Sequence, residues 1–182
     1  MKNDMKKILL DRETIHKRIC ELGQEITRDY QGEAPLMVCI LKGSVVFFAD
    51  LVREIDLPVR FEFMTASSYG NATVSSGEVK IVSELDSKIV NRHVILVEDI
   101  VDSGRTIAYI KNDMLKKGVK SLKVCALLDK PDRRVTDVRA DYCGFVIPDE
   151  FVVGYGLDFD QKYRNFPEIG VLKEEVYENG VD

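Results

Sequence analysis

Apolar positions along this chain recur in two rhythms. Between Asp11 and Tyr30 they fall at Ile15, Ile19, Leu22, Ile26 and Tyr30, a spacing that gathers them on one face of an amphipathic helix. Asp11 stands where such a helix needs a cap, and Gly32 and Pro35 end it. Elsewhere the apolar residues form short continuous runs, as expected of strands buried on both faces. Leu36 to Leu41 is the first, followed by Lys42-Gly43-Ser44 and a helix through Val45, Phe48, Leu51 and Val52. Pro58 opens a second strand, Val59 to Met64. Thr65 to Gly77 is rich in Ser, Gly, Thr and Ala around the single aromatic Tyr69, so a mobile loop is predicted there. Glu78 to Leu85 then alternates as the return strand of a long hairpin.

Val94 to Val97 is a third strand-like run. Its polar sequel, Glu98 to Thr106, leads into a helix over Ile107 to Lys117 with Ile107, Ile110, Met114 and Leu115 on one face, stopped by Gly118. Leu122 to Leu128 reads as another buried strand, ending in Asp129-Lys130-Pro131. Cys143 to Ile147 and Phe151 to Tyr155 form a last apolar group, and Ile169 to Tyr177 reads as a short helix. Strands alternating with helices predict an α/β fold, a parallel β-sheet flanked by helices. Repeats, linkers and low-complexity stretches are absent, so residues 1–182 are expected to form a single domain.

Composition narrows the class. Hydrophobic residues at 45% and charged residues at 31% suit a soluble globular chain. A net charge of −5 disfavours non-specific nucleic-acid binding, which needs basic surface. Cys20, Cys39, Cys125 and Cys143 are too widely spaced for a Cys-x-x-Cys metal or redox motif. His16 lies off the helix stripe and His93 merely precedes a strand, so neither attracts a role. Without a signal-like stretch or an apolar run of membrane length, a reduced, cytoplasmic setting is expected and no membrane partner.

The candidate chemistry is concentrated in Val94-Ile-Leu-Val-Glu-Asp-Ile-Val-Asp-Ser-Gly-Arg-Thr106. N–H groups in the first turn of a helix lack intrahelical partners and carry the positive end of its dipole. Gly104 permits close approach, and the hydroxyls of Ser103 and Thr106 add donors, so the loop suits a phosphate monoester. Glu98 and Asp99 would repel that phosphate and should face sugar hydroxyls or Mg²⁺, which takes oxygen ligands. A phosphorylated sugar held at both ends is the substrate class this implies. A plain helix cap from Asp102 or Ser103 is the alternative. In open α/β sheets ligands bind beyond the carboxyl ends of the strands. Here Lys42-Gly43, Glu98 to Thr106, Asp129-Lys130 and the segment around Asp158 are expected to converge there.

The whole string resembles the phosphoribosyl pyrophosphate signature of the type I phosphoribosyltransferases, in the spelling of their hypoxanthine-guanine branch. The resemblance extends to Leu41-Lys-Gly43, Ser68-Tyr-Gly70, Leu128-Asp-Lys-Pro131 and Ile147-Pro-Asp-Glu-Phe-Val-Val-Gly-Tyr-Gly-Leu-Asp158, with Arg164 beyond. It implies that family's fold, with a flexible hairpin flap at about residues 65–80 and a small hood from about 145–182 plus N-terminal residues. It implies transfer of a phosphoribosyl group from phosphoribosyl pyrophosphate to a 6-oxopurine, with Mg²⁺ as cofactor and a homodimer or homotetramer as the assembly.

By the same resemblance Glu98 and Asp99 approach the ribose hydroxyls and the metal, while Asp102, Ser103, Gly104, Arg105 and Thr106 hold the 5′-phosphate. Asp102 is the candidate general base. Lys42, Gly43, Ser68, Tyr69 and Arg164 complete the donor site, and the Leu41–Lys42 peptide is expected to be cis. Lys130 would donate to the purine 6-oxo group, Phe151 stack on the base, and Val152 read its edge through the backbone. Asp158 would lie near base and metal. Phe159 stands where many relatives have tyrosine, and Glu150 where some carry a basic residue. The remaining alternatives are an RNA-binding regulatory homologue and a phosphoribosyltransferase for adenine, orotate or uracil. A P-loop kinase is disfavoured because no Gly-x-x-x-x-Gly-Lys-Ser/Thr occurs.

Overall fold

The computed structural model describes residues 1–68, 79–81 and 85–178. Its elements, in chain order, are β1 (Met5–Leu10), α1 (Arg12–Asp29), β2 (Leu36–Leu41), α2 (Val45–Arg53), β3 (Arg60–Ser68), β4 (Val79–Ile81) and α3 (Asp86–Ile89). They continue with β5 (His93–Val101), α4 (Arg105–Lys116), β6 (Ser121–Asp129), β7 (Tyr142–Val146), β8 (Val152–Val153), β9 (Ile169–Leu172) and α5 (Glu174–Glu178). The main sheet has the order β4-β3-β2-β5-β6-β7, parallel except for β4.

Strand alternation sorts the apolar residues into two cores. Met37, Cys39, Ile95, Val97, Cys125 and Leu127 face α1 and α2, meeting Ile15, Ile19, Leu22, Phe47 and Leu51. Their neighbours Val38, Ile40, Val94, Leu96, Val124 and Ala126 face Ile107, Ile110 and Met114 of α4 and Ile89 of α3. Each continuous apolar run is thus buried on both sides, as the sequence pattern requires. Asp11 caps α1 as expected, its carboxylate accepting from the Thr14 N–H at 2.8 Å.

The structure departs from the sequence reading where context outweighs composition. β5 runs on through Val101, so Glu98 and Asp99 lie inside the strand rather than beyond it. β3 extends to Ser68 and takes in Thr65 to Ser68, which composition assigned to a loop. The rest of that loop, Tyr69 to Gly77, lies outside the described residues. Of the expected return strand Glu78 to Leu85, Val79–Ile81 forms β4 and Leu85 is a buried residue leading into α3, while residues 78 and 82–84 lie outside the described residues. Two further strands differ from the sequence pattern: Met5–Leu10, where no element is expected, and Ile169–Leu172, where the pattern suggests a helix. They pair antiparallel, and β8 joins β9 to complete a separate three-stranded sheet, β1-β9-β8. Four consecutive buried residues carry no periodicity that distinguishes strand from helix. Gly170 leaves room there for the Met5 side chain, whose sulfur would lie 2.7 Å from an added Cβ.

Candidate active site

The sheet order creates the crevice. After β2 the chain passes through α2 to β3 on one side, and after β5 it passes through α4 to β6 on the other. Ligands in open α/β sheets bind at such a reversal, outside the carboxyl ends of the strands. The gap is visible in the register: β2 pairs with β5 only as far as Cys39–Val97, whereas β5 stays paired with β6 to Val101–Asp129. The Lys42 turn and the Glu98–Thr106 stretch therefore face each other across an opening.

The loop after β5 is held from behind by one arginine. Arg134 donates from Nε to the Asp102 carbonyl at 3.0 Å and from Nη2 to the Val101 carbonyl at 3.1 Å. It also bonds the Val138 carbonyl and forms an ion pair with Asp129. The Val135 N–H donates to the Ser103 carbonyl at 3.0 Å. Across a trans peptide the carbonyl and the next N–H point in opposite directions. With the carbonyls of Val101, Asp102 and Ser103 turned to Arg134 and Val135, the N–H groups of Asp102, Ser103 and Gly104 point the other way. Gly104, the N-cap of α4, has φ 79°, and a side chain there would strike the Thr136 hydroxyl at 2.4 Å. The N-cap residue itself is a glycine with no side chain to cap the helix, and of the expected alternative only a long contact forms, the Arg105 N–H donating to the Ser103 hydroxyl at 3.4 Å. An anion cradle at the α4 N-terminus is what this backbone offers.

Opposite the cradle lie Glu98 and Asp99. The Glu98 Oε2 atom is buried and, among the described residues, meets no hydrogen-bond donor. Burial, and then the charge of Asp99, push the Glu98 carboxyl well above the usual carboxylate range. Burial likewise lifts Asp99 to about 6, against the Ile100 N–H and Arg164, which pull it down. Oxygen-only donors, one of them unsatisfied, fit a hard cation such as Mg²⁺. Gly43 brings the facing turn into range: a side chain there would overlap the Asp99 carboxylate at 1.6 Å. The same turn has a cis Leu41–Lys42 peptide. It is anchored by Ser44, fully buried, whose hydroxyl bonds the Ile40 carbonyl and lies 3.2 Å from Cys39 Sγ.

A third wall comes from the Gly154–Arg164 segment. Gly156, at φ 103°, lies against the Gly43 carbonyl, where a side chain would come within 2.0 Å. Arg164 donates to the Gly156 carbonyl at 2.8 Å and pairs with Asp158 at 2.8 Å. Gln161 Oε1 lies 3.5 Å from both Lys42 Nζ and Arg164 Nη2, joining the turn to this wall. Asp158 thus makes its contacts with Arg164 and the Gln161 N–H.

The fourth wall carries Lys130, only 5% exposed, whose ammonium donates to the Glu150 carbonyl at 2.6 Å. Asp149 lies 3.8 Å from Lys130 and 3.6 Å from Arg133, and Arg133 reaches the Asp102 carboxylate at 3.3 Å. A chain of charges therefore connects Lys130 to Asp102. Phe151 is half-exposed and meets Phe159 edge-on at 5.8 Å, while Val152 is buried in β8. The Glu150 carboxylate turns to Lys7 of β1 at 2.8 Å.

The four expected strand ends do converge. Lys42, Gly43, Glu98, Asp99, Asp158 and Arg164 adjoin one another, and Asp102 to Thr106 join Lys130 through Arg133 and Asp149. Arg105 is exposed and Thr106 half-buried in the first turn of α4. Ser68 ends β3, paired with Val79, whereas Tyr69 lies outside the described residues. Arg134, Arg133, Asp149 and Gln161 were not anticipated. Only their spacing from recognised residues could have signalled them.

Two substitutions test this geometry. The raised carboxyl pair favours the protonated form in the folded state, so its stabilising effect is complete below the unfolded pKa and lost as pH rises through the folded one, about 6 for Asp99. Glu98→Gln should therefore raise the Tm of the ligand-free protein at about pH 8 by roughly 2–4 °C, with little change at about pH 4. Arg134→Lys keeps a charge near Asp129 but loses the fork. Ribose 5-phosphate binding, followed by calorimetry, should weaken by about tenfold. Unchanged affinity would mean the loop holds its shape without the fork.

Comparison with known proteins converges on the same reading. Residues 6–160 match the family model described as the phosphoribosyl transferase domain. The chain is 50% identical over 177 residues to the hypoxanthine-guanine phosphoribosyltransferase of Streptococcus thermophilus, covering 97% of this chain and 98% of that one. It is 50% identical over 179 residues to the Bacillus subtilis protein of the same name, covering 98% and 99%. A crystal structure of a hypoxanthine phosphoribosyltransferase from Staphylococcus aureus superposes with a TM-score of 0.93 at 48% identity, covering 97% and 96%. With the reversal-point crevice, the anion cradle and the buried acids all in place, the chain belongs to the phosphoribosyltransferase family.

Proposed function

We propose that this phosphoribosyltransferase joins the 5-phosphoribosyl group of phosphoribosyl pyrophosphate to a 6-oxopurine, hypoxanthine or guanine with xanthine a further candidate, releasing pyrophosphate in purine salvage. The observation that carries the base assignment is Lys130. Its ammonium is buried and donates to the carbonyl of Glu150, the residue that immediately precedes the exposed ring of Phe151. An ammonium donates hydrogen bonds and accepts none, so it selects a ring carbonyl over an exocyclic amine. Phe151, steadied by Phe159, offers a stacking face for the base, and the Val152 backbone reads its edge.

In this reading the N–H groups of Asp102 to Gly104, with Ser103, Arg105 and Thr106, hold the 5′-phosphate. Lys42, Gly43 and Arg164 meet the pyrophosphate. Ser68 and Tyr69 belong to the donor side on sequence grounds. Mg²⁺ would be held by Glu98 and Asp99, with Asp158 nearby, and supplies charge neutralisation to the leaving pyrophosphate. Asp102 takes the proton from the incoming base nitrogen, and Arg133 positions its carboxylate. Self-association as a homodimer or homotetramer is supported by an exposed apolar patch of Val45, Phe61 and Phe63 beside Phe48. A reduced, cytoplasmic setting fits the four free cysteines, and no described helix is long and apolar enough to cross a membrane.

Pyrophosphate release measured with hypoxanthine, guanine, xanthine, adenine and uracil in turn tests the reading. Magnesium-dependent turnover restricted to 6-oxopurines is expected, and turnover with adenine or uracil instead would refute it. Lys130→Ala should erode the preference for hypoxanthine over adenine; an unaltered ratio removes Lys130 from base selection. Asp102→Asn should lower kcat by about 10²–10⁴-fold while leaving donor affinity nearly intact, and an unchanged kcat removes the general base.

A further inference from the structure

A second cluster of metal-ligating side chains lies away from the crevice, where α1 crosses the end of α2. His16 and Cys20 are one turn apart on α1, and the His16 Nε2 atom lies 3.8 Å from Cys20 Sγ. Glu54, the C-cap of α2, supplies a carboxylate oxygen, and the three donor atoms all fall within 4.8 Å of one another. The crossing itself fixes this arrangement. Gly23 stands against the backbone of Glu54 so closely that a side chain would meet its carbonyl oxygen at 2.5 Å. The absent side chain lets α2 end directly on α1, which brings the Glu54 carboxylate over the turn that carries Cys20.

We propose that His16, Cys20 and Glu54 bind one borderline divalent cation of the zinc class. Imidazole and thiolate select zinc, cobalt or nickel over magnesium and calcium, so this site is chemically distinct from the all-oxygen pair Glu98–Asp99. Ligand atoms on a tetrahedral zinc sit about 2.0–2.3 Å from the metal, and the 3.8 Å sulfur–nitrogen separation is close to the edge such a tetrahedron requires. Three protein ligands leave a fourth position open. His16 and Glu54 also line a cavity of about 800 Å³ between α1, α2 and the Tyr155–Pro167 segment, which gives that position access to solvent. Bound metal clips α1 to α2. Binding displaces the thiol proton, so affinity falls as pH is lowered.

Cobalt(II) titrated into the whole protein under saturating Mg²⁺ provides the test. One equivalent should produce a thiolate-to-cobalt charge-transfer band, and zinc should abolish it by competition. Cys20→Ser should eliminate the band, and His16→Ala should weaken zinc affinity, read against a chromophoric chelator, by about tenfold or more. Cys143→Ser, the control for the other half-buried thiol, should leave both readouts unaltered. Absence of the band, its persistence in Cys20→Ser, or unchanged zinc affinity in His16→Ala would each overturn the site.

Discussion

Two adjacent carboxyl groups lie half-buried within the last residues of the central strand, one Glu98 oxygen shut off from solvent, and much of the crevice is arranged around that unfavourable act. An ionised carboxylate out of water, without a donor, is costly to a fold. Here Glu98 Oε2 has none among the described residues, and both groups are pushed toward the protonated form. The charge of Arg164 favours ionised Asp99, but Arg164 is itself committed to Asp158. Such a pair is poorly explained by stability alone. It is well explained by a polyhydroxylated, cation-bearing ligand that satisfies the oxygens when it binds.

Glycine is what allows the walls to close around the pair. Gly43 and Gly156 bring the turn after β2 and the Gly154–Arg164 segment into backbone contact, with Asp99 against them. On the far side Arg134 draws the Val101 and Asp102 carbonyls to itself, so the matching N–H groups face the other way. Negative and positive surfaces end up a few residues apart along one strand–loop–helix unit, suited to the opposite ends of a ribose phosphate. The remaining wall is organised separately, by Lys130 and the residues that follow β7.

Much of this was legible in the chain before the structure. Continuous apolar runs separated by helical stripes specify a parallel sheet, and the polar spelling of residues 98–106 points to a sugar phosphate. The small antiparallel sheet was not legible, because β1 mixes Lys6 and Lys7 with apolar neighbours and β9 is too short and too uniformly buried to display a period. The length of β5 was hidden for a related reason. Acidic residues disfavour a strand by propensity, yet pairing with β6 through Val101 outweighs it. Residues that act through others, such as Arg134 and Gln161, look like ordinary surface charges and amides until tertiary contact shows what they touch.

Asp99 is held in an environment that resists its charge. Carbon-13 NMR of carboxyl-labelled protein, with Asp99→Asn to assign the resonance, measures this directly. Titration without metal should give a midpoint for Asp99 near 6, moving down when Mg²⁺ and phosphoribosyl pyrophosphate are added. A midpoint at the ordinary aspartate value of 3.8, unmoved by the metal, would contradict the account.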